Sequence, residues 1–448
     1  MKQDPAVLVI GGGVSGLAAA CELGRAGVPV TVLEARDRIG GRVLTLHDAP
    51  CDAPIELGAE FIHGRPPETL DLLKKANARI SEVDGDSWCV SGQELSNCDL
   101  FSGVDSILEA MNDSDPDESF SAFLERCFPN PRNAATRRAK QQATSYVSGF
   151  NAADPALVGV HWLVKGMKAE EKIEGHRAFR SQNGYTDLLN IFQQQLDEYG
   201  ATVFLECVVE RVAWKAGNAE VRVRDRNGSS VLQAPRVLIT LPISLLKAEP
   251  GQPGIVQFEP SLPREKIRAL DNLEMGKVIR VVLCFRERFW DLIKPPAGGG
   301  ASLADMSFLF SQDEWFPTWW TSMPQKAPII TGWAPFRCAE GLSGRGHSFV
   351  TDRSLQTLSG LLGPSVQELQ DLLREAYFHD WQVDPFSLGA YSYGKVGANE
   401  AQQVLAEPVD STLFLAGEAM DTSGHNGTVH GAIASGYRAA RQILQTLD

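Results

Sequence analysis

Val7-Leu8-Val9-Ile10-Gly11-Gly12-Gly13-Val14-Ser15-Gly16 is the stretch on which the fold turns. Its first four residues form an apolar, β-branched run, as expected of a strand buried on both faces. A G-x-G-x-x-G turn follows directly, and Leu17-Ala18-Ala19-Ala20-Cys21-Glu22-Leu23 continues as a helix that Gly27 closes. Val30-Thr31-Val32-Leu33 is a second β-rich run, and it ends at Glu34. Strand, glycine turn, helix, strand and acid, in that order, make a βαβ unit of the dinucleotide-binding kind. Gly11 permits the tight turn, Gly13 lets the backbone approach a pyrophosphate, and Gly16 allows the helix to pack closely on the strand. Val14 and Ser15 lie in the first turn of the helix, whose free N–H groups and positive dipole end suit phosphate. Glu34 stands 21 residues beyond Gly13, where a carboxylate accepts from both ribose hydroxyls and repels a 2′-phosphate.

The rest of the chain bounds what this unit can serve. At 448 residues it is too long for one ordinary core. A 43% hydrophobic and 22% charged composition excludes wholesale disorder and fibrous structure. Forty-two Lys+Arg against 56 Asp+Glu leaves a formal charge of -14, which argues against nucleic acid as a main partner. The eight cysteines are scattered, without C-x-x-C, and are read as reduced, mostly buried thiols with no disulfide frame and no metal site. The acidic Asn112–Glu118 stretch lacks calcium-loop spacing and is read as a solvated turn and helix cap. The charge-free stretch from Ala6 to Cys21 is too short to span a bilayer and starts too early to leave room for a signal peptide. A soluble, cytoplasmic protein without membrane contact is expected.

Just after Glu34 comes Ala35-Arg36-Asp37-Arg38-Ile39-Gly40-Gly41-Arg42, a second glycine pair with arginines, read as a further anion-binding turn. The combined string G-G-G-V-S-G-L…L-E-A-R-D-R-I-G-G-R resembles the flavin-dependent amine oxidase family, which holds monoamine, polyamine and spermine oxidases, L-amino-acid oxidases and lysine-specific histone demethylases. Glu56-Leu57-Gly58-Ala59-Glu60-Phe61-Ile62-His63-Gly64 is similar to the family's segment beside the flavin ring. Residues 201–250 alternate as short strands, including Val208 to Val212 and Val237-Leu238-Ile239-Thr240. Leu413 to Glu418 is a buried strand ending in a glycine–acid pair, Gly417-Glu418, and Gly427-Thr428-Val429 opens a closing helix that in the family points at the flavin.

The resemblance implies an α/β chain with a Rossmann-like FAD-binding domain and an inserted, mixed α+β substrate domain. Residues 1–65, 201–285 and 386–448 would form the FAD-binding domain; 66–200 and 286–385 would form the substrate domain. Residues 104–200 carry apolar residues at helical spacing, Pro295 to Gly300 is read as a flexible loop, and Trp315, Trp319, Trp320 and Trp333 fall in a strand-like region. By the same resemblance the cofactor contacts are Gly11, Gly13, Val14, Ser15, Gly16, Glu34, Ala35, Arg36, Gly41, Arg42, Gly58, Ala59, Glu60, Val208, Gly417, Glu418, Gly427, Thr428 and Val429.

His63, Tyr391, Thr428 and Arg280 are the candidates for the chemistry, with Glu60 beside them. His63 matches the histidine of polyamine oxidases. Glu60 could recognise an ammonium group or hold the turn. Tyr391, in Trp381-Gln382-Val383-Asp384-Pro385…Gly389-Ala390-Tyr391-Ser392-Tyr393, matches an aromatic on the flavin's substrate side. Thr428 stands where monoamine oxidases place a second tyrosine, so a two-tyrosine cage is not expected. Ala390 stands where they carry the cysteine that tethers FAD, so the flavin is expected without a covalent link. The family's lysine lies ten residues before the tryptophan of an F-W pair, and counting back from Trp290 reaches Arg280. Lys277 is out of register by three, which in a strand puts it on the opposite face.

The implied activity is oxidation of a small amine, with hydride passing from its α-carbon to flavin N5 and oxygen reduced to hydrogen peroxide. An L-amino-acid oxidase or a desaturase-type flavoprotein is the second enzyme reading, with Arg65 or Arg280 as carboxylate clamp. A flavin-binding scaffold without oxidase activity is the non-enzyme one. The sequence leaves the identity of the amine and the oligomeric state open.

Overall fold

The structure, a computed structural model, describes residues 5–51, 53–92, 94–98, 104–129, 133–249, 251–296 and 301–447. The end of the expected Pro295–Gly300 loop, residues 297–300, lies outside the described residues.

The opening motif folds as its pattern requires. Strand β1 (Val7–Ile10) and strand β2 (Val30–Leu33) are buried along their whole length, with helix α1 (Val14–Arg25) between them. They pair in parallel, Val7 opposite Val30. Three further segments complete a five-stranded parallel sheet in the order 202–204, β2, β1, 236–239, 413–415. A sheet covered on both faces needs strands apolar on both sides, which accounts for the unbroken Val/Leu/Ile runs. The helix Thr186–Glu198 and the closing helix Val429–Leu444 pack with α1 in one core under this sheet, through Leu17, Leu188, Phe192, Ile433 and Ala440. A Cβ on Gly16 would overlap the Gly11 carbonyl, so α1 reaches β1 only because that residue is glycine.

A second, seven-stranded sheet stands beside the first. Its order is 373–378, β3 (Val278–Phe285), β5 (Ile329–Pro335), β4 (Thr318–Thr321), 306–310, 86–91, 94–97. The pairs are antiparallel except for 306–310 with 86–91. All eight residues of β3 are buried, and Arg280 is the one charge among them. The sequence division placed residues up to 285 with the cofactor-binding segments, whereas β3 is hydrogen-bonded into the sheet otherwise built from 86–97 and 306–378. Helices α2 (Ala134–Phe150) and α3 (Val160–Lys172) flank the space between the sheets. The acidic turn is held by its own network: Asp113 pairs with Lys168 at 2.6 Å, and Asp117 accepts from the His161 N–H in the first turn of α3.

The cysteine reading is corrected. Cys51 is bonded to Cys284 and Cys89 to Cys98, leaving Cys21, Cys127, Cys207 and Cys338 as thiols. The sheet brings Cys51 and Cys284 to a Cα separation of 5.9 Å across 233 residues, and a hairpin brings Cys89 and Cys98 to 5.7 Å. Both fall in the range a disulfide spans, which spacing along the chain could not reveal. With two bonds formed, the cytoplasmic expectation loses its support in the cysteines. Among the described residues no helix is long and apolar enough to cross a membrane. Thiol titration of the denatured, unreduced protein should count the four free cysteines, and reduction should raise the count to eight. Eight without reductant would show both bonds to be absent.

Candidate active site

One cavity of about 2190 Å³ runs from the glycine turn to the face of the seven-stranded sheet. At its first end, the N-terminus of α1 faces the Gly40–Gly41 turn, tied by the Gly40 N–H donating to the Gly12 carbonyl at 2.8 Å. Gly13 caps α1 without a side-chain acceptor, and the Ser15 hydroxyl is buried with no protein partner. The Glu34 carboxylate accepts from the Gly12 N–H at 2.6 Å and the Arg36 N–H at 2.9 Å. Burial raises its pKa, and these two donors and the Arg36 charge oppose the rise. An uncapped helix end, an orphaned hydroxyl and a buried acid at the end of β2 fit the phosphates and ribose of a dinucleotide. Of the sequence-derived cofactor contacts, Gly16 lies behind the turn and every other one lines the cavity.

The arginines after Glu34 are used differently from the expectation. Arg36 donates to Asp384 at 2.6 Å and Ser387 at 2.9 Å and lies over Phe386. Arg38 donates to the carbonyls of Ile39, Gly41 and Val43, so it shapes the turn and is not free for an anion. Arg42 joins Glu418 at 2.9 Å and the Ala390 carbonyl at 2.8 Å. Glu418 also accepts from the Ser392 hydroxyl at 2.6 Å and the Gly427 N–H at 3.0 Å, so its carboxylate locks three chain segments together beside the cavity. A Cβ on Gly58 would overlap the Arg42 carbonyl, which fixes the 55–60 segment against this turn.

At the other end sits Arg280, with only 7% of its side chain exposed. It donates to the Glu56 carbonyl at 3.0 Å, pairs with Glu60 at 3.4 Å, and lies over the rings of Trp320 and Trp333 at 5.2 and 5.6 Å. Burial lowers its pKa from the ordinary arginine value, and Glu60 and Glu56 act against that. Glu60 is shared: it also accepts from Arg180 Nε at 2.8 Å and Trp320 Nε1 at 3.0 Å. Glu56, fully enclosed, is pushed up to about 8 by burial and is therefore mostly protonated at neutral pH. Glu60 is the carboxylate shared by the two guanidinium groups of Arg180 and Arg280. Lys277 points to solvent and pairs with Glu340, in keeping with its out-of-register position.

His63 pairs with Ala178 in a short antiparallel ladder, and its ring lies 6.0 Å from Phe61 and 5.4 Å from Phe150. Burial lowers its pKa to about 4, so it is neutral at pH 7. Tyr391 donates its hydroxyl to the Phe150 carbonyl at 2.7 Å and lies nearly parallel to Trp333, with centroids 6.5 Å apart. The Trp333 Nε1–H goes to the Gly149 carbonyl at 3.2 Å, so the last turn of α2 holds both rings. Thr428 lines the cavity, but its hydroxyl accepts from the Gly431 N–H and donates to the His425 carbonyl, capping the closing helix. Arg180, Trp320, Trp333 and Phe150 were not anticipated as parts of the site. Trp320 and Trp333 had a signal, as tryptophans in adjacent strand-like runs; Arg180 had none.

The family model for flavin containing amine oxidoreductases matches residues 14–444. The chain belongs to this family. It is an FAD-dependent oxidoreductase acting on CH–NH bonds, and Ala390 offers no sulfur for a thioether to the flavin. Probable polyamine oxidase 4 of Arabidopsis thaliana is 27% identical over 463 residues, covering 98% of this chain and 86% of that protein. Lysine-specific histone demethylase 1 homolog 2 of Arabidopsis thaliana is 26% identical over 99% of this chain, which spans only 59% of that protein. The fold is similar to that of a putrescine oxidase bound to putrescine, with a TM-score of 0.80 at 20% identity and 99% of each chain covered.

Glu60→Gln leaves the buried Arg280 and the part-buried Arg180 without their shared carboxylate. A stability loss of about 3–5 kcal/mol is expected, measured by urea unfolding of the holoenzyme. A loss under about 1 kcal/mol would show that Glu60 does not carry their charge.

Proposed function

We propose that the enzyme removes hydride from the carbon next to the nitrogen of an unprotonated amine, with oxygen as the final acceptor and hydrogen peroxide as product. The observation that supports this best is the neutral, aromatic wall of Phe61, His63, Phe150, Trp333 and Tyr391 at one end of the cavity whose other end is the dinucleotide cradle. The carboxylate beside that wall, Glu60, is already held by Arg180, Trp320 and Arg280. A reacting nitrogen there meets rings and a neutral imidazole, and such surroundings favour its uncharged form. When bound, FAD supplies the hydride acceptor and passes the electrons to oxygen. The protein's part is to hold the C–H bond in place and keep water out. Within this reading, 1–65, 201–277 and 386–448 carry the cofactor, and the seven-stranded sheet with α2 and α3 forms the substrate side.

Arg280 supplies a fixed positive charge. Its pKa lies too high for work as a base or proton relay, but a cation stabilises negative charge that develops as oxygen is reduced. With its donors turned to Glu56 and Glu60, Arg280 is poorly placed to clamp a substrate carboxylate, and Arg65 is exposed and faces Glu174. This favours an amine over an amino acid. In separate anaerobic and aerobic stopped-flow measurements, Arg280→Met should slow flavin reoxidation by about tenfold or more and slow reduction far less. A larger KM for amino acids with unchanged reoxidation would instead make Arg280 a carboxylate site.

The pH dependence follows from the same wall. The substrate must lose its proton before hydride can leave, so kcat/KM should rise with pH and level off near the pKa of the amine. His63 adds no step between pH 5 and 8, because it stays neutral throughout. Profiles for two amines of different pKa test this: the limb should move with the amine. A limb fixed near pH 6–7 for both would point to an enzyme group.

A further inference from the structure

Among the arginines of the second glycine turn, Arg36 is held at one end and open at the other. Its Nη2 donates to Asp384 at 2.6 Å and to the Ser387 hydroxyl at 2.9 Å. Its Nε and Nη1 make no hydrogen bond to a described residue, and Glu34 stands 3.9 Å from Nη1, too far for one. The side chain lines the cavity at the dinucleotide cradle. The guanidinium is therefore fixed from behind and keeps donors for an anion in front.

What fixes it reaches back to the surface. Asp384, the acid of the W-x-x-D-P segment, is buried, and its two oxygens are divided. Oδ1 accepts from Arg36 and from the Phe386 N–H at 2.8 Å, and Oδ2 accepts from His379 Nε2 at 2.7 Å. An ionised carboxylate only accepts, so Nε2 carries the hydrogen whether the imidazole is neutral or charged. Burial pushes the Asp384 pKa up, and the His379 and Arg36 donors more than offset it, leaving the acid at about 2. Without His379, Oδ2 would be enclosed with no donor from a described residue. The imidazole has a fixed seat: its ring lies 4.1 Å from that of Trp381, whose Nε1–H is tied to the Leu57 carbonyl at 2.9 Å. His379 is part-exposed and does not itself line the cavity.

We propose that His379 is a positioning residue for the cofactor: by donating to Asp384 it holds the Arg36 guanidinium at the cradle, so that the free N–H groups of Arg36 serve the adenosine-diphosphate half of FAD. His379 acts through two other side chains, one 5 and the other 343 residues away in sequence, and needs no contact with FAD. The role concerns the cofactor end alone and holds whichever amine is oxidised.

The test is a double-substitution cycle read as FAD affinity, from the flavin fluorescence recovered when holoenzyme is diluted. His379→Phe keeps a ring beside Trp381 but has no donor, and it should raise the Kd for FAD by about fivefold or more. His379→Gln can still donate and should stay within about twofold of the wild type. His379→Ser repeats the loss of the donor without a ring, in case phenylalanine crowds the seat. In an Arg36→Met background, His379→Phe should raise the Kd by less than about twofold further, because substitutions along one line of action do not multiply. A purely structural role for His379 would weaken FAD equally in both backgrounds, and glutamine would not mend it. An unchanged Kd in both His379→Phe and His379→Ser overturns the proposal. So does an effect of full size in the Arg36→Met background, or a glutamine variant no better than the phenylalanine one.

Discussion

Burying the Arg280 guanidinium in an otherwise apolar strand costs several kcal/mol of desolvation unless its charge and its N–H groups are met. What meets it comes from separate parts of the chain. The 55–60 segment gives a carbonyl and the Glu60 carboxylate, and β4 and β5 give the faces of Trp320 and Trp333. Glu60 is steadied by Arg180, itself over the Phe61 ring at 4.5 Å. The 55–60 segment, the seven-stranded sheet and the 178–181 strand are thus fixed to one another by a single charge cluster, and the aromatic wall is built on that cluster.

The other end of the site is fixed by Glu418. Its contacts to Arg42, Ser392 and Gly427 join the second glycine turn, the segment carrying Tyr391 and the entry to the closing helix. The two acids work alike, each joining segments far apart in sequence, and the cavity lies between them. Neither carboxylate is then spare for substrate.

Legibility from sequence followed the range of the interactions. The first 34 residues could be read because strand, turn and helix are local patterns, and the structure reproduces them within a residue or two. Arg280 could be placed because the resemblance sets a residue ten before the tryptophan of the F-W pair, and counting back from Trp290 reaches it. Its partners could not: Arg180 and Trp320 lie 120 and 260 residues from Glu60 and meet it only through sheet pairing. The Cys51–Cys284 bond was hidden for the same reason. The cap made by the Thr428 hydroxyl was not read from the sequence, where Thr428 stood as a site residue, although a threonine at the entrance of a helix often accepts from the N–H three residues on.

The strand order of the parallel sheet bears on how the chain is made. β1 and β2 are synthesised first, yet the neighbour of β1 on its other side is 236–239, and the last strand is 413–415. At roughly 5–20 residues per second, some 20–80 s separate the first strand from the last on the ribosome. Until 236–239 is made β1 has an unpaired edge, and to the end of the interval α1 lacks the closing helix that covers it. Such an edge is open to pairing with other nascent chains. Expression in this fold should therefore depend on the lag between its first and last strands as well as on the stability of the finished enzyme.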